Sequence, residues 1–193
     1  VILVEGPAEK ILVPNFLTKA GLDSYYICVI EINGRHAHSF RKLIEKIGIA
    51  TLIITDIDAA ETKIGKDGKK HLSSVITSKG KGYKTSNPSI KNWLPEKEKI
   101  DDLLVLDEKE KIIGNVKIAF QTSINVKWDK DTKDLVEICP YTFEDALIFT
   151  NLELFRQDGL KKMGGITTIS NLLRKSDSAN ELQQCIFEKL ESK

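Results

Sequence analysis

The sequence is short of cysteine, of net charge and of long apolar runs, and each shortage excludes a class of protein. Cys28, Cys139 and Cys185 are odd in number and widely spaced, with no CxxC pair. They frame neither a disulfide scaffold nor a zinc site, and they point to a reducing compartment, the cytoplasm. Lys and Arg total 29 against 28 Asp and Glu, for a net charge of +1. A globally basic nucleic-acid coat is therefore excluded, and any DNA contact has to come from a local patch. The longest apolar runs, such as Thr51–Thr55 and Leu103–Leu106, fall far short of the roughly 18 residues that cross a bilayer. The few aromatics are scattered, so Trp93 and Trp128 read as packing residues and not as a base-stacking platform. No GxxxxGK[ST] occurs, so ATP binding cannot be located on this chain. The opening VILVEG, without Met, reads as the interior of a longer protein.

What is present suffices for a core. The 193 residues are 41% hydrophobic and 30% charged, too apolar for a disordered chain and long enough for one domain with an insertion. Val1–Val4 is a β-branched run stopped by Glu5-Gly6-Pro7. Ile11, Leu12, Phe16, Leu17 and Ala20 follow at helical spacing, with Pro14 expected to kink that helix or split off its first turn. Tyr25–Ile30 predicts a second strand, closed by an Asn33-Gly34 turn. Phe40, Leu43, Ile44 and Ile47 give a second helical stripe, and Thr51–Thr55 a third strand. Strand, helix, strand, helix, strand at this spacing implies α/β architecture, a parallel sheet with right-handed crossovers.

The middle changes character. From Glu61 to Lys84 seven Lys (63, 66, 69, 70, 79, 81, 84) face Glu61 and Asp67. That excess reads as a solvated loop or hairpin, or as a contact to the DNA backbone through Lys79, Lys81 and Lys84. Ser89–Leu94 and Asp101–Leu106 look like short helical pieces, and Val116–Phe120 returns to strand. Thr142 fits an N-cap for a helix reaching toward Phe155, with Glu144 and Asp145 in its first turn. A last helical region spans Leu172 to Leu190. The expected division is an α/β core over 1–60 and 113–160, an inserted, mainly helical segment over 61–112, and a C-terminal helical segment over 161–193.

Chemistry concentrates where strands end. Glu5 follows the first strand, and Asp56 and Asp58 follow the third. In a parallel sheet the carboxyl ends share one edge, where such folds bind ligands. Three carboxylates there repel unless a cation sits among them, and all-oxygen ligands suit Mg²⁺ or Mn²⁺. Residues two apart on an extended chain point to one side, so Asp56 and Asp58 can converge. Glu9, one helical turn past Glu5, can face the same point. The structural alternative is that these acids cap the helices that follow strands. His36 and His38 read as loop or helix-start residues, with a DNA contact left open.

VILVEGPAEKILVP followed by LIITDIDA resembles a Toprim domain, the catalytic module of bacterial primases, topoisomerases and a group of nucleases. EGPAEK, INGRHAHSF, KTSNPSIKNWLP and TFEDALIFTN resemble the OLD (overcoming lysogenization defect) nucleases in particular. The resemblance implies a Toprim-type, Rossmann-like sheet of about four parallel strands flanked by helices, and a DNA endonuclease cutting by two-metal hydrolysis with Mg²⁺ or Mn²⁺. It implies metal ligation by Glu5, Glu9, Asp56, Asp58 and Asp145, with Glu144 as a substitute for Asp145. In LRKSDSANEL it makes Lys175 the basic catalytic residue beside Glu5, Asp56 and Asp58, although Ser178 stands where the family pattern has an aromatic. Ser86 is implied near the metals. The family joins this part to an N-terminal ABC-type ATPase half, so ATP, and a homodimer of the full protein, would enter through that half. Phage defence and DNA repair both suit the family. Two other classes stay open. Primase- or topoisomerase-like chemistry lacks its zinc module or its tyrosine domain here, and a non-catalytic DNA-binding module would not need the intact acid set.

Overall fold

The computed structural model describes residues 1–66, 68–128, 134–156 and 164–192, with the side chains of 164–167 left aside. The chain forms two compact units, Val1–Phe120 and Gln121–Lys193.

The first unit begins with β1 (Ile2–Val4), α1 (Pro7–Lys19), β2 (Val29–Glu31), a 3₁₀ turn (Ala37–Phe40), α2 (Arg41–Ile47) and β3 (Thr51–Ile54). It continues with β4 (Ala59–Ile64), β5 (Lys70–Ser74), β6 (Lys84–Thr85), α3 (Pro88–Asn92), α4 (Ile100–Leu104), β7 (Ile112–Ile113) and β8 (Val116–Ala119). The sheet has the order β2-β1-β3-β8-β7. Its first four strands are parallel, as the alternation of strand and helix implied, and β7 closes one edge antiparallel. Short apolar β-branched runs suit such a sheet because both faces are covered. Ile2, Val4, Val13 and Val29 form one buried cluster with Leu17, Leu52 and Ile54 against it. The pleat turns Leu3 and Ile53 to the other face, where they are also buried.

Three local expectations are corrected. α1 runs through Pro14 without splitting; it starts at Pro7, whose missing N–H costs nothing at that first position. β2 is Val29–Glu31 and not Tyr25–Ile30, because β1 offers only three partners and Tyr25 and Tyr26 are exposed. The segment between β3 and β8 carries more strand than helix. β4 pairs antiparallel with β5 and β6, while α3 and α4 are five residues each. The β4–β5 ribbon is exposed on both faces at its far end, so it lacks the apolar alternation that marks a strand in sequence.

The second unit holds β9 (Ile124–Lys127), β10 (Leu135–Ile138), α5 (Phe143–Thr150), α6 (Leu152–Arg156), α7 (Gly164–Lys175) and α8 (Ala179–Glu191). Val126 and Ile138 of the β9–β10 pair bury against Ile148, Phe149, Leu152, Leu173, Leu182 and Ile186 of the helices. These residues form one buried core within the second unit. Thr142 caps α5 as expected, but the helix breaks at Asn151 before α6. Among the described residues no helix is long and apolar enough to cross a membrane.

Ile53, fully buried in the central strand β3, tests the sheet core. Ile53→Ala should destabilise the protein by about 2–5 kcal/mol through lost burial and the cavity left. Ile47→Ala, on the exposed side of α2, should stay within about 0.5 kcal/mol. Urea unfolding followed by far-UV circular dichroism compares the two.

Candidate metal centre at the carboxyl edge of the sheet

The pairing of β1 with β3 aligns Val4 with Ile54, so the next residues, Glu5 and Thr55, stand side by side where the strands end. Thr55 Oγ1 donates to Glu5 Oε1 at 2.5 Å. Three residues later Asp58 takes a φ of 50°, a left-handed conformation that costs a residue with a Cβ about 1 kcal/mol and that Asp enters more readily than most. The chain leaves the sheet there and becomes β4. The DxD is therefore not an extended stretch, and strand alternation does not account for the position of Asp58.

β6 returns the chain to the same place by pairing Thr85 with Ala59. Ser86 N–H then donates to Asp58 O at 2.9 Å. Asn87 follows, 0% exposed. Its Nδ2 donates to Thr55 Oγ1 at 2.7 Å and to the Asp56 carbonyl at 2.8 Å, and lies 3.4 Å from Glu5 Oε1 and 3.3 Å from Asp58 Oδ2. The two N–H hydrogens serve the two short contacts, and the longer pair adds favourable charge. Its Oδ1 accepts from Ser89 N–H at 2.9 Å and caps α3. One buried amide thus joins both strand ends to the inserted segment.

A third segment reaches the edge from β2. Asn33 and Gly34 turn at φ 52° and 108°, and Gly34 N–H donates to Glu5 O at 2.9 Å. Arg35 Nη1 donates to Ser86 Oγ at 2.6 Å and stands 3.4 Å from Asp58 Oδ2. His36 opens the 3₁₀ turn, and His38 meets Ser89 Oγ through its backbone N–H and Nδ1. From the other side Glu9, buried in the first turn of α1, accepts from Gly6 N–H at 3.2 Å.

Burial is the main force raising the Glu5 pKa from 4.5 to about 7. Asp58 and Glu9 raise it further, against hydrogen bonds from Thr55 and the Asp56 backbone. Glu5, Glu9 and Asp58 are thus close enough to feel one another, and their hard oxygens, with no sulfur or imidazole among them, match Mg²⁺ or Mn²⁺ in kind. Among the described residues no three acidic, His or Cys side chains are already gathered to hold an ion. The donors fit such a metal by chemistry, and their present partners include Thr55, Asn87, Arg35 and the Gly6 N–H.

Asp145, Glu144 and Lys175 belong to the second unit. Asp145 is buried at the third position of α5, where its Oδ2 accepts from Tyr141 N–H and its Oδ1 from Thr142 N–H, each at 2.7 Å. Burial raises its pKa from 3.8 to about 6 despite those donors. This is half of a capping box, with Thr142 Oγ1 accepting from Asp145 N–H in return. Glu144 is exposed beside it, and Lys175 is exposed in the last turn of α7. Ser178, at the position where an aromatic was expected, caps α8 through Glu181 N–H. Of the basic residues, Lys84 pairs with Glu98 at 3.1 Å, and Lys79 and Lys81 are exposed.

Sequence reasoning missed Thr55, Asn87 and Arg35. Asn87-Pro88 carries a helix-start signal, an N-cap before a first-turn Pro, but nothing in it shows that the amide also faces β1 and β3.

A parallel sheet with acids at two adjacent strand ends is the architecture of a Toprim domain. Residues 1–58 match the family model described as "Overcoming lysogenization defect protein-like, TOPRIM domain", and the mostly parallel sheet flanked by helices is consistent with a Toprim-type fold. Over 185 residues, 95% of this chain, the sequence is 27% identical to Endonuclease GajA of Bacillus cereus (strain HuB5-5). The chain spans 24% of that relative's length. No solved structure matches it.

Two outcomes test this geometry. Asn87→Ala should lower stability by about 2–4 kcal/mol, because Thr55 Oγ1 and the Asp56 carbonyl lose a buried donor and α3 loses its cap. Glu5 gives a pH dependence. The folded state holds its proton more tightly than the unfolded state, so stability is lost as pH rises from 4.5 to about 7. Glu5→Gln should therefore match the wild type near pH 4 and exceed it at pH 8 by on the order of 3 kcal/mol. Denaturant titrations in EDTA at the two pH values read the difference, and equal gaps at both would contradict it.

Proposed function

We propose that this chain is the nuclease part of a longer protein and hydrolyses DNA phosphodiester bonds with Mg²⁺ or Mn²⁺. The observation that carries the reading is the burial of the Glu5 carboxyl at the sheet edge, within reach of the charges of Asp58 and Glu9. The Toprim domain and the endonuclease relative support the same reaction class. Glu5 and Asp58 are the proposed first ligands, with Glu9 and Asp56 completing the set. A pair of divalent ions bound there would supply an activated water and stabilise the departing 3′ oxygen. Thr55 and Asn87 hold Glu5 in place, so little reorganisation remains when substrate arrives.

DNA contact is proposed for the basic segment from Glu61 to Lys84. The exposed β4–β5 ribbon starts directly after Asp58 and carries Lys63 and Lys70, with Lys66 and Lys69 in its turn. Lys79, Lys81 and Lys84 follow it toward β6. Contacts of this kind position the backbone without reading bases. We propose further, from the family resemblance, that ATP and a homodimer would act through an ATPase-bearing part of the longer protein.

Asp58→Ala or Asp56→Ala should abolish plasmid nicking in Mg²⁺ or Mn²⁺ while the far-UV spectrum is kept, and EDTA should abolish it in the wild type. Cutting at the wild-type rate by either variant would contradict the assignment. Reversing Lys79, Lys81 and Lys84 to Glu should weaken binding alike on unrelated sequences and lower the slope of log affinity against log salt by about 2. Lys175→Ala, in the second unit, should slow single-turnover cleavage about a hundredfold with DNA affinity in Ca²⁺ kept.

A further inference from the structure

Arg35 stands at the acidic edge but belongs to none of the strands that supply the acids. Its loop is pinned on both sides, by Gly34 N–H on Glu5 O at 2.9 Å and by Ser89 Oγ on Arg35 O at 3.2 Å. The backbone of Arg35 is therefore anchored at this edge, and its side chain reaches Asp58 from there. The contact to Asp58 is loose, one nitrogen at 3.4 Å, where a carboxylate and a guanidinium that fit each other form two parallel bonds at about 2.8 Å. Nη1 spends its short hydrogen bond, 2.6 Å, on Ser86 Oγ instead. Among the described residues Nη1 is the guanidinium nitrogen that meets the protein, and the side chain is 44% exposed. An open edge of a planar cation is thus left facing solvent beside the acids. A guanidinium offers five N–H donors in a fork that matches phosphate oxygens. Asp58, by contrast, is largely buried, 12% exposed, and needs a counter-charge.

We propose that Arg35 is the resident counter-cation of Asp58, which gives up that carboxylate when a divalent ion binds and turns its guanidinium to a phosphate of the bound DNA. The inference rests on the metal-dependent reading above. A cation that only neutralises Asp58 would be better placed by a bidentate contact, and one that only binds DNA would not need its loop tied to the Glu5 carbonyl. The loose contact and the open edge together suit a group that serves both states.

The test measures Mn²⁺ affinity without DNA, by the electron paramagnetic resonance signal of the free ion, in the wild type, Arg35→Gln and Arg35→Lys. Removing the competing charge should tighten Mn²⁺ binding in Arg35→Gln about fivefold, the worth of a partly exposed ion pair. Arg35→Lys, which keeps the charge, should stay near the wild type. Affinity for a short duplex in Ca²⁺ should fall about tenfold in Arg35→Gln, the loss of a charged hydrogen-bonding contact, and Arg35→Lys should recover part of it. Mn²⁺ affinity that is unchanged or weaker in Arg35→Gln overturns the counter-cation role, and unchanged duplex affinity overturns the phosphate role. A wild type that binds no Mn²⁺ overturns the metal-dependent reading itself, and this inference with it. Melting curves in EDTA show that the compared variants are folded.

Discussion

The first unit is organised around a carboxyl group that the fold buries at the end of a strand. Glu5 follows β1 directly, and the β1–β3 register sets it against Thr55. Water is largely excluded there, so the charged form is penalised, and the neighbouring Asp58 and Glu9 penalise it again. A sheet of short, fully apolar strands gains nothing from such an arrangement. The carboxyl stays because hydrogen bonds from Thr55 and the Asp56 backbone partly offset the penalty. A bound cation would remove the rest, which ties the stability of this edge to the proposed chemistry.

The inserted segment is what makes the edge a site. Asp58, in its left-handed conformation, sends the chain out along β4, and the β4–β6 pairing brings it back to Ser86 and Asn87. Without that return, Thr55 and the Asp56 carbonyl would lack their buried donor. The excursion also carries the exposed lysines of the β4–β5 ribbon. One device, a strand pair rooted at the DxD, both completes the edge from inside and carries exposed lysines away from it.

The parallel sheet could be read from the sequence because its signals are local: β-branched runs, helical stripes and Gly stops recur at short spacing. Glu5, Asp56 and Asp58 could be placed at one edge for the same reason, since strand ends in a parallel sheet share a side. The roles of Asn87 and Arg35 could not, because each depends on partners more than 20 residues away, just past β1 and β3 or in the β3–β4 turn. Strand alternation was the wrong argument for Asp58, which a positive φ orients. Asp145 carried two readings in sequence, metal ligand and first-turn acid, and its two oxygens lie on backbone N–H groups of its own helix start. The ribbon escaped notice because strands exposed on both faces have no apolar period to detect.

The central claim is that two adjacent strand ends form a divalent-cation site whose Asp58 carboxylate is held meanwhile by Arg35. Anomalous diffraction from crystals grown with Mn²⁺ tests it most directly. The account predicts manganese within coordination distance of the Glu5 and Asp58 carboxylates, with the Arg35 guanidinium withdrawn from Asp58. Crystals with no manganese at this edge, and with Arg35 still on Asp58, would contradict it.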